Sequence, residues 1–588
     1  MNSHRIALGT AVLGIMTAVS LFAPGAAAGQ DDPPERVAQL NYSQGSISLQ
    51  PGGQGDWITA APNRPLVSGD NLWADQGSRA ELHVGSTALR IGENTSITFL
   101  DVGDHVLQIR LAQGSLQLSI RHLYEGDVVE VDTPNLAFTA VRNGEYRLDV
   151  NEAGDETVAT IRHGRGEAVG GGQSYDVLAG QRARFSGDEP LDYDLETASE
   201  RDDFEAWAAA RDDREEHESS ADYVSREMTG YEELDDYGHW QYVANYGPVW
   251  IPDAVVPGWA PYRFGHWVWI APWGWTWVDD APWGFAPFHY GRWACVGARW
   301  FWVPGPAAVR PVYAPALVVF IGGGAGFHPS PGGPAVAWFP LAPGEVYVPM
   351  HRASPAYVNR VNVTNTAVNV TKISNVYSSY NSTTAAPIGY VNQHVANAVT
   401  AVPRDAFVNG RPVGAQNLTL APREIEQAQV MHGLAVQPVR ASMLGAGTPT
   451  HVAPPAAVAS RAVIANRPAV ALPSAFAPAA SGDNRRQEAA VPAPPERQVP
   501  RPPQTASRPT MAAQASQPQT PVAVSPAPAS HPLVRPAPPV QPKTQQQWND
   551  QESKFKKWDQ QRQQSSSGKS EQRSGESREE KEKKTEKR

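Results

Sequence analysis

The chain has 588 residues; 53 are Pro and 50 are Gly, about 18% together against a usual share of roughly 12%. Its net charge of −11 hides two blocks: residues 188–236 carry 20 acids and 4 bases, whereas residues 551–588 carry 12 bases and 8 acids. No concentrated basic face is left for nucleic acid. The single Cys, Cys295, excludes an intrachain disulfide and a cysteine metal cage.

The first element is an address. His4 and Arg5 precede an apolar run from Ile6 to Ala23, Pro24-Gly25 breaks it, and Ala26-Ala27-Ala28 follows. A positive start, an apolar stretch and small residues at an A-x-A end describe a secretory signal peptide over residues 1–28, cleaved after Ala28. The competing reading is an uncleaved anchor, because 18 apolar residues just span a bilayer. No Cys follows the run, so no lipoprotein anchor is expected. No later stretch is apolar for 18 residues, so no transmembrane span is expected after cleavage. The expected location is outside the cytoplasm, in a bacterial periplasm or cell envelope.

Residues 37–187 alternate short β-prone runs with Gly turns. Leu82/Val84, Leu116/Leu118/Ile120 and Tyr146/Leu148/Val150 each place an apolar row on one strand face. Turn signals recur at Gly77-Ser78, Gly92, Gly103-Asp104, Gly114-Ser115, Gly126-Asp127, Asn143-Gly144 and Gly154-Asp155, a spacing that predicts an all-β module. The phrases Arg64-Pro65-Leu66-Val67-Ser68-Gly69-Asp70, Gly77-Ser78-Arg79-Ala80-Glu81-Leu82, Leu111-Ala112-Gln113-Gly114-Ser115-Leu116, Val129-Glu130-Val131-Asp132-Thr133-Pro134 and Leu178-Ala179-Gly180-Gln181 follow one another in this stretch. In that order they resemble a FecR-like domain, a β-rich periplasmic module of iron-uptake signalling proteins. The resemblance implies a β fold that binds a protein or senses a ligand. Two departures qualify what it implies. Arg142-Asn143-Gly144-Glu145-Tyr146 stands where that family usually has a Gly-Thr pair. Only a signal peptide precedes the domain, so a transmembrane relay is not expected from this chain.

Residues 188–236 form an acidic connector. Phe204, Trp207, Ala208 and Arg211 follow helical spacing, and Ala206 to Ala210 favour helix. The expectation is a solvated helix whose Phe204/Trp207 edge packs on a neighbour. A calcium loop is not expected, because no Gly turn interrupts the acids.

Residues 237–350 hold most of the indoles: 12 of the 18 Trp lie from Trp240 to Trp302. Tyr237-Gly238-His239-Trp240, Phe264-Gly265-His266-Trp267 and Tyr290-Gly291-Arg292-Trp293 begin 27 and 26 residues apart. Each is followed by a second aromatic run, at Val249-Trp250-Ile251, Trp275-Thr276-Trp277-Val278 and Trp300-Phe301-Trp302-Val303. A period in this range predicts one supersecondary unit in three copies, here a Trp-rich β-hairpin, the three stacked through their Trp faces as one ladder. Trp250, Trp267, Trp269, Trp275, Trp277, Trp300 and Trp302 are the candidate aromatic platform. They have three competing roles: packed core, a surface that stacks on the sugar rings of peptidoglycan, or a groove for Pro-rich peptides. His239 and His266 align with Arg292, which cannot ligate a metal, so no metal is expected there. Cys295 aligns with Tyr242 and Trp269 and is read as a packing position. No hydrolase, metalloprotease or phosphate-loop motif is present. These phrases resemble a family of exported bacterial Trp/Gly/Pro-rich proteins with no assigned activity, a resemblance that implies architecture and location but no mechanism.

Residues 351–446 are rich in Val, Asn and Thr, as in Val361-Asn362-Val363-Thr364-Asn365, whose alternation predicts strand. Residues 447–545 form a Pro/Ala-rich arm with few groups to bury and are expected to be disordered. Residues 546–588 are a Gln/Lys/Glu tail in which Phe555 and Trp558 sit at helical spacing.

The fold expected is mainly β: a FecR-like domain, a short acidic helical connector, a Trp-rich hairpin array and a disordered Pro/Ala arm. The function expected is that of a non-enzymatic exported envelope protein that binds or scaffolds in the periplasm, without cofactor or metal, its partner an unidentified envelope protein or glycan. FecR-type periplasmic signal sensing is the alternative, and peptidoglycan binding or processing the third. The sequence leaves oligomeric state open.

Overall fold

The computed structural model describes residues 32–52, 55–188, 191–322, 335–380, 388–431, 433–434, 436–470 and 531–563. The signal peptide at 1–28 and most of the Pro/Ala arm, at 471–530, lie outside the described residues, as does the tail from 564 onward. The chain is mainly β. Among the described residues no helix is long and apolar enough to cross a membrane.

Among the described residues, seventeen strands between Ala38 and Thr197 make one connected network. Its spine is the 15-residue strand Val106–Ile120. The first half pairs with Thr95–Val102 and, in parallel, with Val128–Asp132. The second half pairs with Thr87–Ile91 and Gly144–Val150. The strand changes sheets at Gly114, whose φ is +93°, and a Cβ there would lie 2.3 Å from Thr95 Oγ1. Only glycine takes this corner without strain. Leu107, Ile109, Leu111, Leu116, Leu118 and Ile120 all point into one apolar core, as their alternation requires. The opposite faces are also covered. Gln117 and Ser119 are buried, and so are Gln108 and Arg110. Two other parts of the chain supply that cover.

One cover is the connector. Its helix, Asp203–Glu216, is capped by Asp202, whose carboxylate accepts from the Glu205 amide at 2.9 Å. The helix is not the solvated rod its charge predicts. Ala208, Glu205 and Glu215 are buried against the β domain. Arg162 donates to both Glu205 oxygens, at 2.9 and 2.7 Å, and Arg147 lies 5.5 Å over the Phe204 ring. The acids are held down because the facing strands are studded with Arg, a match that sequence charge alone does not show.

The aromatic region folds into three hairpins. Gly238–Val243 pairs with Gly247–Pro252, Gly265–Ile270 with Gly274–Asp279, and Arg292–Val296 with Arg299–Val303. In each a Trp faces a Trp: Trp240 and Trp250, Trp267 and Trp277, Trp293 and Trp302. The glycine ahead of the first Trp lies under the second. A Cβ on Gly238, Gly265 or Gly291 would come within 2.4, 2.6 or 2.4 Å of Trp250, Trp277 or Trp302. The hairpins do not stack as one ladder, however. The outer two join through the single bridge Trp250–Trp302 into a four-stranded sheet, and the middle one stands as its own two-stranded sheet. Their indoles converge on a second core that also takes Val37, Tyr231, Trp338 and Phe407.

The next stretch corrects the strand expectation. Pro355–Val363 is helical, with Ser354 as its cap and Pro355 in its first turn. Val361-Asn362-Val363 mimics a strand, but Asn362 and Asn365 are buried and spend their amides on main chain. Asn362 donates to Tyr347 O and Val358 O, both at 2.8 Å, and accepts from Tyr347 N at 2.7 Å. Asn365 donates to Val312 O at 2.8 Å. The strands that segment 351–446 does contribute, Thr400–Pro403 and Gln429–Val430, flank Ala335–Pro340 and Val318–Gly322 in a four-stranded sheet. The sheet therefore crosses the boundary at residue 350.

The second cover is the arm itself. Its described parts are ordered on the β domain rather than free. Val463–Ala465 pairs in parallel with Val534–Pro536, and the Ile464 amide donates to Thr133 O at 2.9 Å. Residues 545–563 are helical and insert Trp558 into the first core.

Candidate functional site

The sequence-predicted aromatic platform is mostly interior. Trp250, Trp277 and Trp302 are fully buried, and Trp267 and Trp275 are nearly so; only Trp269 and Trp300 are half-buried. Trp267 meets Trp277, Trp338 and Phe407 with ring centroids 5.3–5.5 Å apart. The fully buried indole N–H groups are satisfied inside, Trp250 by Leu234 O at 3.0 Å, Trp277 by Asp279 Oδ2 at 3.0 Å and Trp302 by Tyr290 O at 2.9 Å. Five of the seven platform residues thus have no face to offer a sugar or a peptide, and the core role is the one the geometry fits.

The aligned polar residues part company. His239 is half-exposed and pairs with Asp253 at 2.6 Å. His266 is buried, and desolvation pushes its pKa down to about 4. Arg292 is buried and donates to Glu345 O, Gly291 O and Asn362 Oδ1. Cys295 is half-buried opposite Trp300, and burial pushes its thiol up, away from nucleophilic character. Asp279, the last residue of its strand, is buried, while Asp280 in the bend that follows is exposed. Asp279 is committed to the hairpin end, accepting from Trp277 Nε1 and Ala281 N, each at 3.0 Å.

Sequence reasoning did not find the cluster under the connector. On the outer face of the β domain, Glu81, His83 and Arg90 sit on adjacent strands, and the connector brings Arg211, Asp212, Glu215 and Glu232 onto them. Arg90 donates to Glu81 at 2.6 Å, Asp212 at 2.9 Å and Glu215 at 3.1 Å. Arg211 Nε donates to both Glu81 oxygens at 3.0 Å, and Arg121 also pairs with Glu215. His83 lies 2.9 Å from Glu232, 3.4 Å from Glu215 and 3.5 Å from Glu81. Burial alone opposes the imidazolium, but Glu232 and Glu215 outweigh it and hold His83 well above its ordinary pKa. Burial likewise opposes the Glu81 and Glu215 carboxylates. His83 and the arginines prevail, bringing Glu81 well below the usual range and Glu215 to about 2. Glu81, His83 and Glu215 offer ligand atoms within 4.8 Å of one another. Three guanidiniums already occupy those carboxylates, so a cation would have to displace arginine, and the donor set does not fit a metal. The signal available in the sequence was the Glu81-Leu82-His83 alternation, which puts both polar groups on the outer face.

Beside this cluster opens a cleft of about 490 Å³. Its walls come from three parts of the chain: Asn41, Tyr42 and Asn63 of the β domain; Arg211, Arg214, Glu233 and Asp236 of the connector; and Tyr237, His266, Asp279 and Asp280 of the aromatic region, the last three on or beside its middle hairpin. Asn63 ties the parts together, donating to Asp279 O at 3.1 Å and Ala281 O at 2.6 Å. Arg214 pairs with Asp236 at 3.2 Å and stands 3.7 Å from Glu233. Burial first, then the neighbouring Glu232, raises Glu233 to about 7. Arg211 belongs to both sites: its guanidinium holds Glu81 and lies 4.9 Å over the Tyr42 ring. The cleft is rich in hydrogen-bond acceptors and carries Tyr42 and Tyr237 on its walls. It is suited to a polar ligand bearing hydroxyl or amino groups.

The model of a family of unknown function (DUF6600) matches residues 231–345, the stretch that holds the three hairpins. Two crystal structures of a candidate anti-sigma factor from Parabacteroides distasonis ATCC 8503, at 2.50 and 1.65 Å resolution, are similar to part of the chain. They align with TM-scores of 0.20 at 11% and 10% identity, over 22% of this chain. The chain spans 60% of the length of those proteins. No curated protein matches it.

Proposed function

We propose that this protein is a non-enzymatic, exported binding protein of the bacterial envelope, working in the periplasm, and that it takes a polar ligand in the cleft between its β domain, its connector and its middle hairpin. The export reading rests on the amino-terminal address. The binding reading rests on one observation: the cleft is built from three parts of the chain, and its ionisable groups are largely paired with one another, which shapes a pocket without leaving a free nucleophile and base in contact. The FecR-like resemblance agrees with a ligand-sensing β module. Cell-wall glycan fragments have the hydroxyl and amino groups the walls favour.

The test is calorimetry of the full chain with soluble peptidoglycan fragments, beside Asp280→Ala and Tyr237→Ala. The expected result is binding that weakens about tenfold in either variant, equivalent to roughly 1.4 kcal/mol, with melting temperature unchanged. Binding that both variants retain in full overturns the assignment to the cleft, and absence of binding to the fragments overturns the ligand class.

A second reading, periplasmic sensing, is favoured by Arg211. A ligand that pulls this guanidinium from Glu81 loosens the connector where it docks on the β domain. Faster amide exchange along Asp203–Glu216 on ligand addition is expected under that reading, and unchanged exchange refutes it.

A further inference from the structure

A second polar face of the β domain is filled by the chain's own arm, and the way it is filled is that of a binding site. Gln108 and Arg110 lie on one strand, Glu130 and Asp132 on its parallel neighbour, and all four are buried to within 1%. They read main chain. Arg110 Nη2 donates to Val458 O at 2.9 Å, Ala459 O at 3.1 Å and Arg461 O at 2.6 Å. Glu130 Oε1 accepts from the Asn466 and Arg467 amides at 2.9 and 3.3 Å. Gln108 Nε2 donates to Arg467 O at 3.0 Å. The side chains admitted are mostly small and apolar, with Val463 and Ala465 buried; Arg461 in mid-segment donates to Ala112 O and Glu152 O, and the segment closes on a second basic residue, Arg467, whose Nε stands 3.6 Å from Glu130 Oε2.

The fit is incomplete. Gln108 Oε1 is buried with no hydrogen-bond partner, and Glu130 Oε2 has, beside the loose contact to Arg467, only the neighbouring Asp132 carboxyl, which burial and Glu130 hold well above the usual carboxylate range. A buried acceptor left in that condition is costly, so a ligand that brings a donor to Gln108 Oε1 competes well. The site shares no residue with the cleft, so its failure leaves the cleft reading untouched.

We infer that this face is a peptide-binding site, held in the free protein by residues 456–467 as an internal pseudo-ligand, and that it accepts from another polypeptide a helical turn running into a short extended segment, mostly of small apolar residues and ending in a basic one. Recognition is by main-chain hydrogen bonds to Arg110, Glu130 and Gln108, and the charge of Glu130 selects the basic end. The internal segment lowers the apparent affinity for any competitor by the fraction of time it occupies the site.

The probe is a fluorescent peptide copying residues 456–467, added to the full chain and read by anisotropy. Ile464→Pro removes the amide that bonds Thr133 O and weakens the internal segment. The expected result is weak binding to the native chain, binding about tenfold or more tighter to Ile464→Pro, and loss of that gain for the peptide carrying Arg467→Glu. A well-folded Ile464→Pro chain that binds no peptide overturns the proposal, as does equal binding of the charge-reversed peptide. If Ile464→Pro fails to fold, amide exchange in the native chain decides instead. Excess peptide is expected to speed exchange at Ile464 and Asn466, and no change overturns the site. Sedimentation of Ile464→Pro as a dimer reassigns the occupant to a second copy of this chain and overturns the partner.

Discussion

Trp277→Ala separates a packed indole core from an aromatic binding surface. Trp277 has no exposed surface, faces Trp267 across its hairpin at 5.5 Å, and touches Tyr262, Phe288 and Trp338. Truncating a fully buried Trp to Ala costs about 3–5 kcal/mol, counting the cavity left behind. The change also removes the donor that Asp279 Oδ2 accepts from. Leaving that buried oxygen unpaired adds roughly 1–3 kcal/mol. The expected loss is therefore about 4–8 kcal/mol, most of the stability of an ordinary domain. Trp300→Ala is the control. That ring is half-buried, so its truncation is expected to cost only about 1–2 kcal/mol. Urea unfolding followed by near-UV circular dichroism gives both values, provided the transition slope is unchanged. If the two variants fall within about 1 kcal/mol of each other, the indoles are not the core of this region, and the surface roles for glycan or peptide return.

Replacing His83 by Gln removes a group that faces Glu81, Glu215 and Glu232 together, and breaking such a buried ion network is expected to cost about 3–5 kcal/mol. The pH dependence has a definite sign. His83 is raised when folded, so its contribution is complete below the unfolded value near 6.5 and is lost as pH rises through the folded value. Melting temperatures from pH 5.5 to 9 should fall more steeply for the native chain than for His83→Gln, and parallel curves would refute the assignment. Glu215 behaves oppositely: lowered to about 2 when folded, it contributes above pH 4.5 and loses that contribution as pH falls toward 2. Gly291→Ala places a Cβ 2.4 Å from Trp302 Nε1 at a φ of +67° and should lower the melting point by several degrees, whereas Gly297→Ala, at a similar φ of +57° with open space around it, should cost much less. Asn362→Ala strips partners from Tyr347 and Arg292 in the interior. A loss of about 2–3 kcal/mol in urea unfolding is expected, and a loss under about 0.5 kcal/mol would show that the helix does not need its asparagine.

The mainly β architecture was legible because its determinants are local. Leu116/Leu118/Ile120 alternate at the period of a strand, Gly114 and its fellows punctuate the turns, and each Gly-x-Trp phrase opens a strand whose partner carries another Trp. A connector helix could be read from Phe204, Trp207 and Ala208, and Phe555/Trp558 announced a helix near the carboxyl end. All of these follow from periodicities that a strand or helix imposes on its own residues. What tertiary structure alone decided is which faces meet. The acids of the connector are buried because strand arginines distant in sequence wait beneath them. Val361-Asn362-Val363 is helical because Tyr347 and Arg292 take up its asparagine. The Pro/Ala segment docks because Arg110 and Glu130 bind its backbone, for which composition carries no signal. The candidate aromatic platform vanished for the same reason. Spacing shows that two indoles share a face, but whether that face meets water or another sheet depends on partners that no local pattern names. The cleft and the Glu81–His83–Glu215 cluster arise where such distant faces close on each other, so their chemistry belongs to the assembled fold.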